Sequence, residues 1–174
     1  MSLKKSCARA AALALLCAGL QAQASTTWDW QYGGAAIAAA GTFVTDDVPN
    51  ADGYYQITAI TGARNGVAIT GLQPTGTAIP GNEPYAVDNL VRLANGQLSY
   101  DGFGFALADG SYANPFSDGT QAFEYLSVPP YVDGAGVETA VAFRATPVPE
   151  PAAAWLALAG LGVLGAAARR RRAA

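Results

Sequence analysis

Residues 54–72 read "YYQITAITGARNGVAITGL", and this stretch decides the fold class. Tyr55, Ile57 and Ala59 fall on one face of an extended chain, the period-2 pattern of a half-buried strand. Asn65-Gly66 then separates that run from Val67 and Ile69. Both residues of an Asn-Gly pair tolerate positive φ, which a two-residue hairpin turn requires, so a β-hairpin is predicted here.

The same signals extend in both directions. Upstream, Trp28-Asp29-Trp30-Gln31-Tyr32 alternates aromatic with polar, and 36–45 continues in small and β-branched residues before the turn-rich "DDVPNADG" of 46–53. Downstream, the Pro-, Gly- and Thr-rich segment 73–84 is a loop. Residues 90–93, a turn at Asn95-Gly96 and residues 98–107 predict a second hairpin. Its apolar phase slips from Leu98 and Tyr100 to Phe103, Phe105 and Leu107, which a bulge at Asp101-Gly102 accounts for. After a loop over 108–120, strands are predicted at 121–128 and 137–145, the latter alternating Val137, Thr139, Val141 and Phe143 with Glu138, Ala140, Ala142 and Arg144. Segment 25–146 contains no convincing amphipathic helix. Seven or eight short strands divided by turn clusters predict an all-β domain over 25–146, an antiparallel β-sandwich of jelly-roll or Ig-like type.

The two ends differ in kind from this middle. Residues 1–9 carry Lys4, Lys5 and Arg9 without an acid, residues 10–20 are apolar, and Ala22-Gln23-Ala24 puts small residues where signal peptidase reads. Residues 1–24 are therefore expected to be a signal peptide, with Ala22 and Ala24 marking the cut. Cys7 and Cys17 both fall inside it, so the mature chain would hold neither thiol nor disulfide. Between Ser25 and Thr146, Arg64, Arg92 and Arg144 face twelve carboxylates, a net charge of −9. Such a domain repels nucleic acid and anionic lipid.

The remaining cations sit beside the apolar runs. Residues 152–168 are uncharged and, as a helix, span ~25 Å, the short edge of a transmembrane segment. Arg169, Arg170, Arg171 and Arg172 would hold its end in the cytoplasm and leave the domain outside, with Trp155 at the outer interface. Gly160, Gly162 and Gly165 make the helix weakly lipophilic and open to a partner helix.

Val148-Pro149-Glu150-Pro151, an apolar helix directly after it and a terminal arginine cluster together resemble the PEP-CTERM sorting signal of Gram-negative bacteria. The resemblance covers residues 147–174. It implies that an exosortase, a polytopic membrane cysteine transpeptidase, cuts near Pro149-Glu150-Pro151 and passes the domain to the cell surface or the extracellular matrix. An ordinary C-terminal anchor is the alternative that the same helix and arginines allow. In the middle, "GTFVTDD", "YYQITAITGARNGVAITGL" and "DNLVRLANGQLSYDGFGFAL" resemble a recurring type of PEP-CTERM surface domain.

Chemistry is sparse. The chain has no histidine, which removes Ser-His-Asp triads, Cys-His nucleophiles and histidine metal sites. No G-x-S-x-G surrounds a serine. Most of the twelve carboxylates lie in turns beside Gly or Asn, where they bond the local backbone, and this argues against a glycosidase pair. Asn50 and Asp52 before Gly53 resemble the end of a calcium loop, but Val48 and Ala59 occupy positions that need ligands. A loose surface calcium site is the most that remains, with no ligands assigned and no other cofactor or metal expected. The threonines lack the fixed period of an ice-binding ladder. Trp28, Trp30 and Tyr32, on one side of a strand, form a candidate sugar platform, against the commoner use of such residues as core. The expectation is a non-enzymatic surface or matrix protein, a substrate of signal peptidase and exosortase associated with exopolysaccharide. A carbohydrate-binding module or a permanently anchored membrane protein is the alternative.

Overall fold

The computed structural model describes residues 25–94 and 96–148, and among them nine strands and no helix are found. They are β1 (Ser25–Gly34), β2 (Ile37–Asp46), β3 (Tyr54–Arg64), β4 (Val67–Leu72), β5 (Leu90–Arg92), β6 (Phe105–Leu107), β7 (Tyr112–Ser117), β8 (Ala122–Ser127) and β9 (Val137–Pro147). Their order is β2-β1-β9-β8-β7-β6-β4-β3, and β3 pairs back to β2. Eight strands thus close a ring in which every ladder is antiparallel, and β5 is added to the start of β3.

The sandwich expectation is therefore wrong: the all-β domain is a closed eight-stranded antiparallel barrel. Alternation along a strand shows that one face is buried and is silent on whether a second sheet or the same sheet buries it. An eight-stranded barrel is just narrow enough for side chains to fill, so the two architectures leave the same pattern.

The hairpin of 54–72 forms as its sequence demands. Arg64 pairs with Val67, and Asn65 and Gly66 take φ of 48° and 82°. The inward face is not the uninterrupted Tyr55, Ile57, Ala59 series, however. A register shift against Val44 and Thr45 inserts a bulge at Thr58, and the buried residues become Ile57 and Ile60. Closure also requires β2 and β3 to approach closely at the directly paired Gly41 and Gly62. A Cβ on Gly41 would lie 2.0 Å from the Thr61 carbonyl oxygen, and one on Gly62 2.3 Å from that of Ala40.

The interior is packed. Trp28, Trp30 and Tyr32 from β1, Phe43 from β2, Ile57 and Ile60 from β3, and Phe105 and Leu107 from β6 all point inward, opposite small residues such as Ala39, Ala113 and Ala145. The connection between β4 and β6 sends Phe103 into the middle of the barrel, where its ring meets Trp30, Phe43, Phe105 and Phe143 from four different strands. Val91 and Leu98 of the same connection are buried beside it. Residues 98–104 are thus a plug rather than the strand expected from their aromatics, Asp101-Gly102 is a turn with Gly102 at φ 64°, and only Phe105–Leu107 joins the wall. On β1 the outward positions are Thr27, Asp29 and Gln31, a polar face suited to water.

Strand β7 lies inside the segment expected to be a loop. Signal peptide 1–24, with Ala22 and Ala24, helix 152–168, Pro149, Glu150, Pro151 and Arg169–Arg172 lie outside the described residues.

Candidate functional site

Strand β9 carries the domain into its tail. Thr139, Val141, Phe143 and Ala145 face inward, and the strand pairs with β1 from Ala142 to Pro147 and with β8 from Val137 to Val141. Beyond Val141 the β8 side of the ladder would be bare. The Gln97 amide fills it, donating to the Ala145 carbonyl at 2.8 Å and accepting from the Ala145 N–H at 2.8 Å, as a strand's backbone would. The Val148 N–H then donates to the Thr27 carbonyl at 2.8 Å. The barrel is hydrogen-bonded up to the residue before Pro149, with no linker between wall and tail. The boundary after Thr146 taken from the sequence falls inside β9.

Trp28, Trp30 and Tyr32 are each no more than 3 % exposed. Trp28 Nε1 donates to Thr45 Oγ1 at 2.9 Å, and Trp30 stacks on Tyr32 with ring centroids 5.8 Å apart. No sugar ring can reach them, because the platform faces the barrel interior. Near one rim of that interior, Tyr32 donates to Glu124 Oε2 at 2.5 Å, and Arg64 grips the same carboxylate through Nε at 2.7 Å and Nη2 at 2.5 Å. Burial, then the Glu124 charge, raises the Tyr32 pKa well above its ordinary value. The hydrogen bond to Glu124 raises that of Arg64. With each polar group answered, this cluster locks three strands together and offers no nucleophile.

The acidic turns behave as their composition indicated. Asn50 Oδ1 accepts from the N–H groups of Asp52 and Tyr54, and Asp118 Oδ1 accepts from those of Thr120 and Gln121. These backbone bonds, with that of the Thr120 hydroxyl, hold the Asp118 carboxyl below its usual pKa. Among the described residues no three carboxylates converge as metal ligands.

Tyr100 borders two clefts, one on the outer wall and one whose lining includes the inward-facing Val141 and Phe143. The smaller, about 500 Å³, is floored by Asn114, Phe116 and Tyr125 and rimmed by Tyr85 with the carboxylates of Glu83, Asp101 and Glu138. Its floor is fixed: Tyr125 Oη donates to the Gly81 carbonyl at 2.7 Å and accepts from the Gly136 N–H at 3.0 Å. Asn114 Nδ2 donates to the carbonyls of Asp101 and Phe103 at 3.1 Å, and Phe116 stacks on Phe123. The rim is open, with Tyr85 65 % and Tyr100 73 % exposed. The larger cleft, about 820 Å³, runs between the 92–100 segment and the β7–β8 turn, with Tyr54, Arg92, Thr120 and Gln121 on its walls. Arg92 lies 4.7 Å over the Tyr54 ring.

Sequence reasoning missed both clefts. Tyr85 follows the turn residues Asn82 and Pro84 in "NEPYAV", and Tyr100 lies within the expected strand 98–107. The available hint was two tyrosines beside turn residues, Tyr85 after Glu83-Pro84 and Tyr100 before Asp101-Gly102.

Residues 147–172 match the family model for the PEP-CTERM protein-sorting motif. The chain thus carries a PEP-CTERM sorting motif, and the motif implies export and recognition by an exosortase. No curated protein and no solved structure matches the chain.

Proposed function

We propose that this chain is a non-enzymatic surface or matrix domain which an exosortase releases from the inner membrane and which associates with exopolysaccharide outside the cell. The sorting motif at 147–172, continuous with β9, is the observation that carries the proposal. Signal peptidase removes 1–24, the uncharged run 152–168 crosses the membrane transiently, and Arg169–Arg172 stay in the cytoplasm. Support for a scaffold rather than a catalyst comes from the carboxylates: Asp118 and Asp109 cap turns, Glu124 is bound by Arg64 and Tyr32, and Asp88 accepts from Ser99. The net charge of −9 between Ser25 and Thr146 disfavours nucleic acid as a partner.

Deleting the exosortase in the exporting cell tests the sorting step. The chain should then accumulate at the mass of the form that keeps its tail. An unchanged mature mass would mean that the tail is a permanent anchor.

A further inference from the structure

We infer that the smaller cleft, between Tyr85 and Tyr100, binds a glycan that carries free amino groups. The inference rests on the exopolysaccharide reading and narrows it to one site and one sugar chemistry.

Four features of the cleft converge. First, its tyrosines are exposed although the barrel has an interior for aromatic rings, and the hydrophobic effect gives no reason to leave both beside one cavity. The C–H face of a pyranose is the usual partner of such a ring, because it is weakly apolar and meets the electron-rich face of the tyrosine. Second, the floor is held by hydrogen bonds made within the protein, so the cleft is formed before a ligand arrives. Third, Tyr100 also borders the larger cleft, and the two together give a surface on which an extended oligomer can lie across one tyrosine. A volume of about 500 Å³ suits one or two sugar rings at a time.

Charge decides the class of sugar. Glu83, Asp101 and Glu138 line the smaller cleft, and no cationic side chain does. Interaction with the neighbouring Asp133 lowers the pKa of Glu83 and raises that of Asp133. A uronic-acid polymer would meet like charge at every one of these groups. An ammonium group would be drawn to them, and the remaining hydroxyls would be free to bond carboxylate and amide oxygens.

The test uses the full chain in a neutral detergent, titrated calorimetrically with a hexamer of glucosamine, its fully N-acetylated counterpart and an oligouronate. The glucosamine hexamer should bind, and Tyr100→Ala should weaken it about tenfold, the scale of one lost stacking contact. Glu138→Gln should weaken it as well, whereas Asp52→Asn, the same charge change in the β2–β3 turn, should not. Equal binding of the N-acetylated hexamer would overturn the amine requirement. Equal weakening by Asp52→Asn, or no effect of Tyr100→Ala, would show attraction by net charge alone and overturn the site. If an oligouronate binds and Tyr100→Ala leaves that binding intact, association with polysaccharide survives and this cleft is not its seat. If none of the three binds, the cleft proposal falls, and sorting is still decided by the exosortase deletion.

Discussion

Tyr32 and Glu124 meet inside the barrel, hydroxyl to carboxylate at 2.5 Å, although 92 residues separate them in the chain. With Arg64 they tie β1, β3 and β8 together through polar groups in an otherwise aromatic interior. Removing one member strands the others. Glu124→Ala leaves a guanidinium and a hydroxyl without their acceptor and should cost ~3 kcal/mol, read as a lower urea midpoint at pH 7. Replacing all three by apolar residues of similar size should recover most of that loss, since the cluster repays a desolvation cost rather than adding to it. A triple variant less stable than Glu124→Ala alone would count against this account.

The raised Tyr32 pKa predicts where alkali unfolds the barrel. In the unfolded chain the phenol ionises near pH 10, while the folded state keeps its proton to higher pH. Between those two values the folded state binds more protons, so stability is full below about pH 10 and falls as pH rises beyond it. Tyr32→Phe removes this contribution. Urea midpoints measured from pH 8 upward should therefore fall more steeply for the wild type than for Tyr32→Phe, and parallel curves would refute the assignment.

Gly41 and Gly62 set how tightly β2 crosses β3. Gly41→Ala places a methyl carbon against backbone, which cannot swing aside, so the seam must widen at a cost of ~3 kcal/mol. By contrast, Gly53→Ala in the β2–β3 turn meets no atom within 4 Å and pays mainly for its positive φ of 81°. Thermal melts should rank Gly41→Ala well below Gly53→Ala. The reverse order would mean that the close crossing is not needed for closure.

The missing linker should limit processing. With Val148 bonded to Thr27, an enzyme acting near Pro149-Glu150-Pro151 must work against the barrel rim or peel the end of β9. Inserting about six Gly and Ser residues after Val148 gives the motif free reach. Pulse-chase should show faster conversion of the insertion variant, and an unaltered rate would mean that the rim is no obstacle.

How much of this was legible in the sequence depends on the distance each signal spans. The Asn65-Gly66 turn is local and forms as the sequence indicates, and so does the alternation along β1 and β9, although it does not say which face turns inward. Closure was not legible, because it depends on β9 returning to pair with β1 from the far end of the domain and on β4 reaching β6 across a long connection. Strand β7 escaped because its inward residues, Ala113, Pro115 and Ser117, are small enough to leave room for the aromatic core, and Asn114-Pro115 imitates a turn. A carboxylate in a strand is by type a residue for the solvent side, and nothing near Glu124 in sequence names Arg64 as its partner. The aromatic trio of β1 was recognised as one face, but its direction is a property of the finished ring. The tail, by contrast, is a contiguous motif and was readable without any fold.

β9 also determines how the domain answers a mechanical load. A pull on Val148 along the strand axis acts on a strand bonded on one side to β1 and on the other to β8 and Gln97. The ladder bonds run across that axis, so they resist together, in shear, instead of opening one after another like a zipper. A barrel held by its wall and tugged by its tail therefore takes the force on the ladder best arranged to bear it.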